Sequence, residues 1–280
     1  MRIIVKILPK EIFVYEEISK YFIHSFIWNL LKGTEFSKFH DTKKFKFFTF
    51  SNIFPVSEFK FNEEKQFIIS SPNEYFIDTI AEKLQNTRYF KFGIHEFELK
   101  EFKKFPMELK QRWETSTPIV LYENNNTHTY YSTNRNPDLN FFLERLKDNA
   151  LKKFNVFYIK NASSIFDYPK NLTDFCDNKN FGFEEPLFDR LFFKKQVAVH
   201  MRKDMEEFLF LGTLWEFEIN LLRMNEGKRK FYEFVMECGL GEKNSLGFGF
   251  VNMKREKRKD SGKDNGKDND KALMSYERDR

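Results

Sequence analysis

The sequence predicts an α+β fold made of two ferredoxin-like βαββαβ units in tandem, and three observations lead there. Strand-like and helix-periodic segments alternate in the order βαββαβ over residues 1–105. A looser second round follows over residues 115–253. A glycine-rich stretch, Gly239 to Val251, closes that second round and holds four of the chain's 11 glycines.

Taken in order, Arg2 to Leu8 reads as the first strand. Ile18, Phe22, Phe26 and Leu30 recur at helical spacing, with Ile23, Ile27 and Leu31 beside them, and predict a helix over Glu16 to Lys32 stopped by Gly33. A polar loop with His40 follows. Lys46 to Phe54 and Gln66 to Ser70 have strand composition. Ser71-Pro72-Asn73-Glu74 reads as a capping box opening a helix to about Asn86. Tyr89 to Phe102 alternates apolar and charged residues, as an antiparallel strand does. Phe105 to Thr115 is the expected joint.

In the second round Pro118 to Tyr122 is the expected first strand, and Asn136-Pro137-Asp138 opens a helix through Lys152. Asn155 to Ile159, Lys195 to Met201 and Phe208 to Leu221 read as strands, and residues 161–190 form an insert without a clear period. Lys228 to Cys238 is the last helix and Phe248 to Met253 the last strand. Lys254 to Asp270 repeats Gly-Lys-Asp-Asn units and cannot bury a core, and residues 254–280 are expected as a disordered charged tail.

Composition narrows the function classes. Hydrophobic residues make up 41% and charged ones 32%, with 37 phenylalanines that imply Phe-packed cores. No apolar run is long enough for a membrane span and no signal-peptide pattern opens the chain. Cys176 and Cys238 are far apart and have no CxxC partner, which argues for a reducing cytoplasm and against a zinc site. Of the net charge of +5, the tail carries +3, leaving +2 for residues 1–253. Nucleic-acid binding must therefore rest on local patches.

The glycine-rich stretch carries the strongest signal. Two G-x-G pairs bracket Glu242-Lys243-Asn244-Ser245, and the order is helix, loop, strand. A P-loop or Rossmann turn has the opposite order, so neither fits. Backbone N–H groups and Lys243 suit a phosphate chain, whereas a plain turn needs one or two glycines. Glu242-Lys243-Asn244-Ser245-Leu246-Gly247-Phe248-Gly249 resembles the C-terminal glycine-rich loop of the RAMP superfamily, and within it the CRISPR repeat-processing endoribonucleases of the Cas six family. The resemblance implies a metal-independent ribonuclease without cofactor that cuts precursor CRISPR RNA within each repeat. It also implies tandem ferredoxin-like domains. CRISPR repeat RNA is the partner it implies; a CRISPR effector complex and a second copy of the chain are further partners it leaves open.

RNA cleavage by its own 2′-OH needs a base, a cation for the phosphorane, and an acid for the leaving 5′ oxygen. Histidine titrates near neutrality and is the first candidate. The resemblance places the catalytic histidine at His40 and the catalytic lysine at Lys46. It also aligns Trp28 with a tyrosine that many members carry, and an indole has no acid–base capacity with which to replace a phenol. Lys20, His24, Trp28 and Lys32 are spaced four apart and share one helix face, opposite much of the apolar stripe. His24 is accordingly the candidate for the second proton-transfer group; a histidine on a wet helix face is the plainer alternative. His40-Asp41 also mimics an HD-type metal pair, with His24 as a further ligand, but Lys43, Lys44 and Lys46 would repel a metal. His95, His128 and His200 read as structural.

The RNA-binding set expected from the loop is Gly239, Gly241, Lys243, Asn244, Ser245, Gly247 and Gly249. The basic cluster Lys228-Arg229-Lys230 joins it. Two other readings remain: a catalytically inactive RAMP-type subunit that holds guide RNA in an effector complex, and a general RNA-binding protein. A His40 turned into the core would favour the inactive subunit.

Overall fold

The computed structural model describes residues 1–124, 126–160, 181–203 and 206–254. The first half holds β1 (Arg2–Pro9), α1 (Lys20–Leu30), β2 (Thr49–Phe50), β3 (Lys65–Ser70), α2 (Glu74–Gln85), β4 (Tyr89–Phe92) and β5 (His95–Phe105). Its sheet runs β2-β3-β1-β5-β4, antiparallel throughout. With β4 set aside as an added edge, this is the ferredoxin-like order. Ile3, Val5 and Ile7 alternate along β1 and are fully buried against Ile23 and Ile27 of α1 and Ile77, Ile80 and Leu84 of α2. Phe67 and Phe97 complete that layer, and each such ring contributes about 2 kcal/mol by leaving water.

The second half holds β6 (Arg112–Thr115), β7 (Tyr122–Asn124), β8 (Thr129–Tyr130), α3 (Leu139–Asn155), β9 (Arg190–Lys203), β10 (Glu206–Glu218), α4 (Glu226–Cys238) and β11 (Val251–Met253). Its main sheet runs β11-β6-β10-β9. Reading β6, β9, β10 and β11 as the four strands of βαββαβ gives the same order as the first half. Trp113, Phe142, Leu146, Trp215, Phe217, Phe231 and Phe234 fill its core.

Several elements differ from expectation. The first helix begins at Lys20, not Glu16, because Ser19 accepts from the Tyr21 N–H as its cap. Asn73, not Ser71, caps α2. The single strand expected over Tyr89 to Phe102 is a hairpin, folded at Gly93 with φ 64°. β6 lies inside the expected joint, and Pro118 to Tyr122 supplies only isolated bridges before β7. Asn155 to Ile159, expected as strand, falls on the last residue of α3 and on the π-helix Val156–Lys160 that continues it; Phe157 is buried there against Phe47 and Phe234. Of the expected insert, residues 161–180 lie outside the described residues, whereas Phe181 and Phe183 pack on Phe231. The expected tail lies outside them from residue 255 on; Lys254 itself pairs with Glu216. Among the described residues no helix is long and apolar enough to cross a membrane.

The two halves are joined by a buried cation. Arg2 is fully buried and donates to Ser70 Oγ, Asn252 Oδ1 and the carbonyls of Met236 and Val251. Its guanidinium also sits 4.5 Å from the Phe250 ring centre. Burial pulls it down to about 9, partly offset by Glu237. The joint places the end of α1 and the glycine-rich loop against each other.

Candidate active site

The glycine-rich loop leaves α4 at Gly239 and enters β11 at Val251. Its four glycines are buried and all have positive φ. The requirement is sharpest at two of them. A Cβ on Gly249 would run into the Leu240 carbonyl, and one on Gly247 into the Phe50 ring. The loop's base is held by side chains from outside it. Lys153 of α3 donates to Gly239 O (2.7 Å), Gly241 O (3.0 Å) and Asn244 Oδ1 (2.9 Å), which fills the three donors of an ammonium. Burial lowers the Lys153 pKa. Asn244 Nδ2 donates to the Leu240 and Phe248 carbonyls, so this side chain is spent inside the loop. The exposed part is the tip, where Lys243 adopts the left-handed conformation at φ 58°.

The first half meets this loop through α1. Lys20 Nζ donates to Gly247 O (3.0 Å) and Asn52 Oδ1 (2.6 Å) and lies between the Phe50 and Phe248 rings. Burial brings its pKa down to about 7. One turn on, His24 Nδ1 is 2.7 Å from Ser245 O. A carbonyl only accepts, so this contact requires the proton on Nδ1 and leaves Nε2 as the acid–base atom.

His24, Trp28, His40 and Lys46 come together in space. The His24 and His40 rings are 6.1 Å apart, and the Trp28 and His40 rings 5.0 Å. His40 caps a short 3-10 turn, and its side chain is 46% exposed, facing out of the core. Its Nδ1 is 2.6 Å from Asp41 Oδ1, so here too the proton sits on Nδ1 and Nε2 is the basic atom of the neutral ring. Lys46 Nζ donates to the carbonyls of Phe39, His40 (3.0 Å) and Thr42 (2.8 Å) and to Thr42 Oγ1 (3.0 Å). It therefore clamps the loop that carries His40. Its charge lies 5.7 Å over the Trp28 ring, and burial lowers its pKa against an opposing pull from Asp41.

The helix face carrying Lys20, His24 and Trp28 turns toward the His40 loop and the glycine loop, not toward solvent as the plainer alternative had it. Trp28 is 7% exposed and Lys20 lies under the glycine loop; only Lys32, at the end of the row, is exposed. The HD-type metal pair, already disfavoured by Lys43, Lys44 and Lys46, gains no support here, since His40 Nδ1 is turned to Asp41 itself. Among the described residues no group of three His, Cys, Asp or Glu is placed to hold a metal ion.

The basic cluster stands apart from the site. Lys228 pairs with Glu185 and Lys230 with Glu226, while Arg229 is exposed. They lie at the start of α4, about 15 Å along the helix axis from the glycine loop. His95 is buried between Glu11 and Glu17 and stacks on Phe13, a structural placement. Two surface clefts, lined by residues such as Gln111, Arg112, Asp189 and Glu218, include none of His24, Trp28, His40 and Lys46.

Sequence reading missed Lys153, Lys20 as a loop anchor, and Arg2. A signal for Lys153 was present: it follows Phe142, Leu146 and Ala150 on the core face of α3, where a lysine needs buried acceptors.

The family described as CRISPR associated protein Cas6, C-terminal, matches residues 100–253. The CRISPR-associated endoribonuclease Cas6 2 of Methanocaldococcus jannaschii is 39% identical over 258 residues, spanning 90% of this chain and 99% of its own. The chain belongs to the Cas6 family of CRISPR-associated endoribonucleases. The C-terminal Cas6 match contains the glycine loop. A Cas6 of Haloferax mediterranei is 23% identical over 90% of this chain and 93% of its own. A solved structure described as CRISPR associated protein Cas6 is 25% identical with a TM-score of 0.61, covering 91% of this chain and 99% of its own. A solved RAMP protein binding different RNA substrates shares the fold at 22% identity and a TM-score of 0.61, covering 91% and 100%.

Proposed function

We propose that this Cas6 chain cuts precursor CRISPR RNA within its repeats by attack of the 2′-OH next to the scissile phosphate. The products are a 2′,3′-cyclic phosphate and a 5′-OH, and the nucleophile comes from the RNA, so the step needs no metal. The observation that carries this reading is the histidine pair: two imidazoles 6.1 Å apart, each with Nδ1 turned to an acceptor. His40 acts as the base at Nε2, because Asp41 stabilises the imidazolium formed when the 2′-OH proton arrives. His24, protonated, returns a proton to the departing 5′ oxygen. Lys46 positions His40 and keeps a positive charge beside the site. Lys243 at the loop tip contacts phosphate, and Trp28 packs between His40 and Lys46. The exposure of His40 favours this reading over an inactive RNA-holding subunit.

The experiment is incubation of the purified chain with an end-labelled CRISPR repeat RNA in EDTA, with the product termini tested by phosphatase and kinase. A single cut leaving a cyclic phosphate is expected. Tight binding without any cut would overturn the proposal and favour the inactive subunit.

A further inference from the structure

We propose that the β7–β8 hairpin is a base-stacking subsite for single-stranded RNA, with the Tyr122 ring as platform and Lys243 as its phosphate contact. This rests on the reading of the chain as an RNA-cutting enzyme and extends it beyond the glycine loop. The Tyr122 and Tyr130 rings are stacked, 5.0 Å apart and 18° from parallel. Both are partly exposed. The platform is fixed from below. Arg145 donates to the Tyr122 carbonyl at 3.0 and 3.3 Å, Arg135 donates to the Tyr130 carbonyl, and the Tyr130 ring rests on Phe210. His128 stands edge-on to Tyr122 at 5.7 Å.

The hairpin is coupled to the site already described. Val120, two residues before Tyr122, bridges to Glu242 in the glycine loop, and the Glu242 N–H donates to Val120 O at 2.7 Å. Lys243 Nζ lies 5.6 Å over the Tyr122 ring. Two residues further, Ser245 holds His24. The glycine loop thus links the His24–His40 pair, through Ser245, to Tyr122, through Glu242 and Lys243. An exposed cation over an aromatic ring is a weak contact, weaker than a stacked base. A base therefore displaces the Lys243 ammonium from the ring, and the ammonium moves to the adjoining phosphate. Glu123 and Glu242 flank the platform; Glu123 is paired with Arg135, and burial raises the Glu242 pKa. Stacking reads no base edge, so this subsite gives affinity and register with little sequence preference.

The test scans a labelled CRISPR repeat RNA with 5-iodouridine and maps photo-crosslinks on the unaltered full-length chain. Anisotropy titrations of Tyr122→Ala and Tyr122→Phe, both checked for unchanged melting, run in parallel. An adduct on Tyr122 from one narrow stretch of RNA is expected. Tyr122→Ala should weaken binding on the order of tenfold, and Tyr122→Phe by less than about twofold. Adducts elsewhere only, or an unchanged affinity in Tyr122→Ala while the unaltered chain binds and cuts, would overturn the subsite alone. An unaltered chain that neither binds nor cuts the repeat would overturn the functional reading with it.

Discussion

The glycine-rich loop is held by side chains of other elements, whereas the His40 loop is held from inside by one lysine. Lys153, Lys20 and Thr49 reach carbonyls of the glycine loop from α3, α1 and β2, and its glycines leave no room for a Cβ. Lys46 reaches the His40 loop from only six residues away and gathers the carbonyls of Phe39, His40 and Thr42. Under the function proposed above, the difference teaches a division of labour. A surface proposed to set the register of a phosphate chain must not move, and its backbone is fixed by both halves. A proposed proton-transfer group must adjust to the attacking hydroxyl, and its loop stays at the surface, with Asp41 95% exposed.

The largest effect expected from breaking this contrast is on stability, in the glycine loop. Gly249→Ala drives a Cβ into the Leu240 carbonyl at a positive φ and should lower stability by about 3 kcal/mol or more in urea denaturation. Lys153→Met should follow. It removes a buried charge but leaves three acceptors without their donor, two of them buried, and the second effect wins by about 2 kcal/mol. Lys46→Met should reverse the pattern. Stability falls by only about 1 kcal/mol, because the loop carbonyls can turn to water, while the single-turnover rate drops by about a hundredfold as His40 loses its placement. Equal stability losses in Lys153→Met and Lys46→Met would erase the distinction.

A further expected effect is a pH dependence. The folded chain holds Lys20 at about 7, below the usual 10.5, so between these values the unfolded chain binds a proton that the folded chain does not. Stability should therefore rise with pH across that window, and the opposing cost of a buried charge is fully present below it. Lys20→Met should flatten the rise, read from urea midpoints at pH 7 and pH 9.

Much of the fold was legible because periodicity reports burial directly: Ile23, Phe26 and Ile27 on α1, and alternating Ile3, Val5 and Ile7 on β1. The misread segments are those where tertiary contact overrode local pattern. Val156–Lys160 has strand composition, yet it stays helical to bury Phe157 between Phe47 and Phe234. His40, Lys46 and His24 could be named as candidates because chemistry restricts residue type, and the resemblance supplied positions. The hold of Lys153 on the glycine loop and the role proposed for Tyr122 could not, since they depend on what α3 and the β7–β8 hairpin are packed against. A lysine in a helix and a tyrosine in a short strand look ordinary in one dimension. Lys228, Arg229 and Lys230 show the converse, a conspicuous cluster that the fold leaves at the far end of α4.

The central claim is that the glycine loop holds RNA and the His40 loop cuts it. The most direct measurement is single-turnover cleavage with protein far above the dissociation constant, for His40→Ala and Lys243→Ala against the unaltered chain, with affinity measured on the same RNA at several salt concentrations. His40→Ala should leave affinity within about twofold and abolish cutting, while Lys243→Ala should weaken binding and flatten its salt dependence with a near-normal rate once saturated. A His40→Ala chain that still cuts at the unaltered rate, or a Lys243→Ala chain with normal affinity and salt slope but no cutting, would contradict the account.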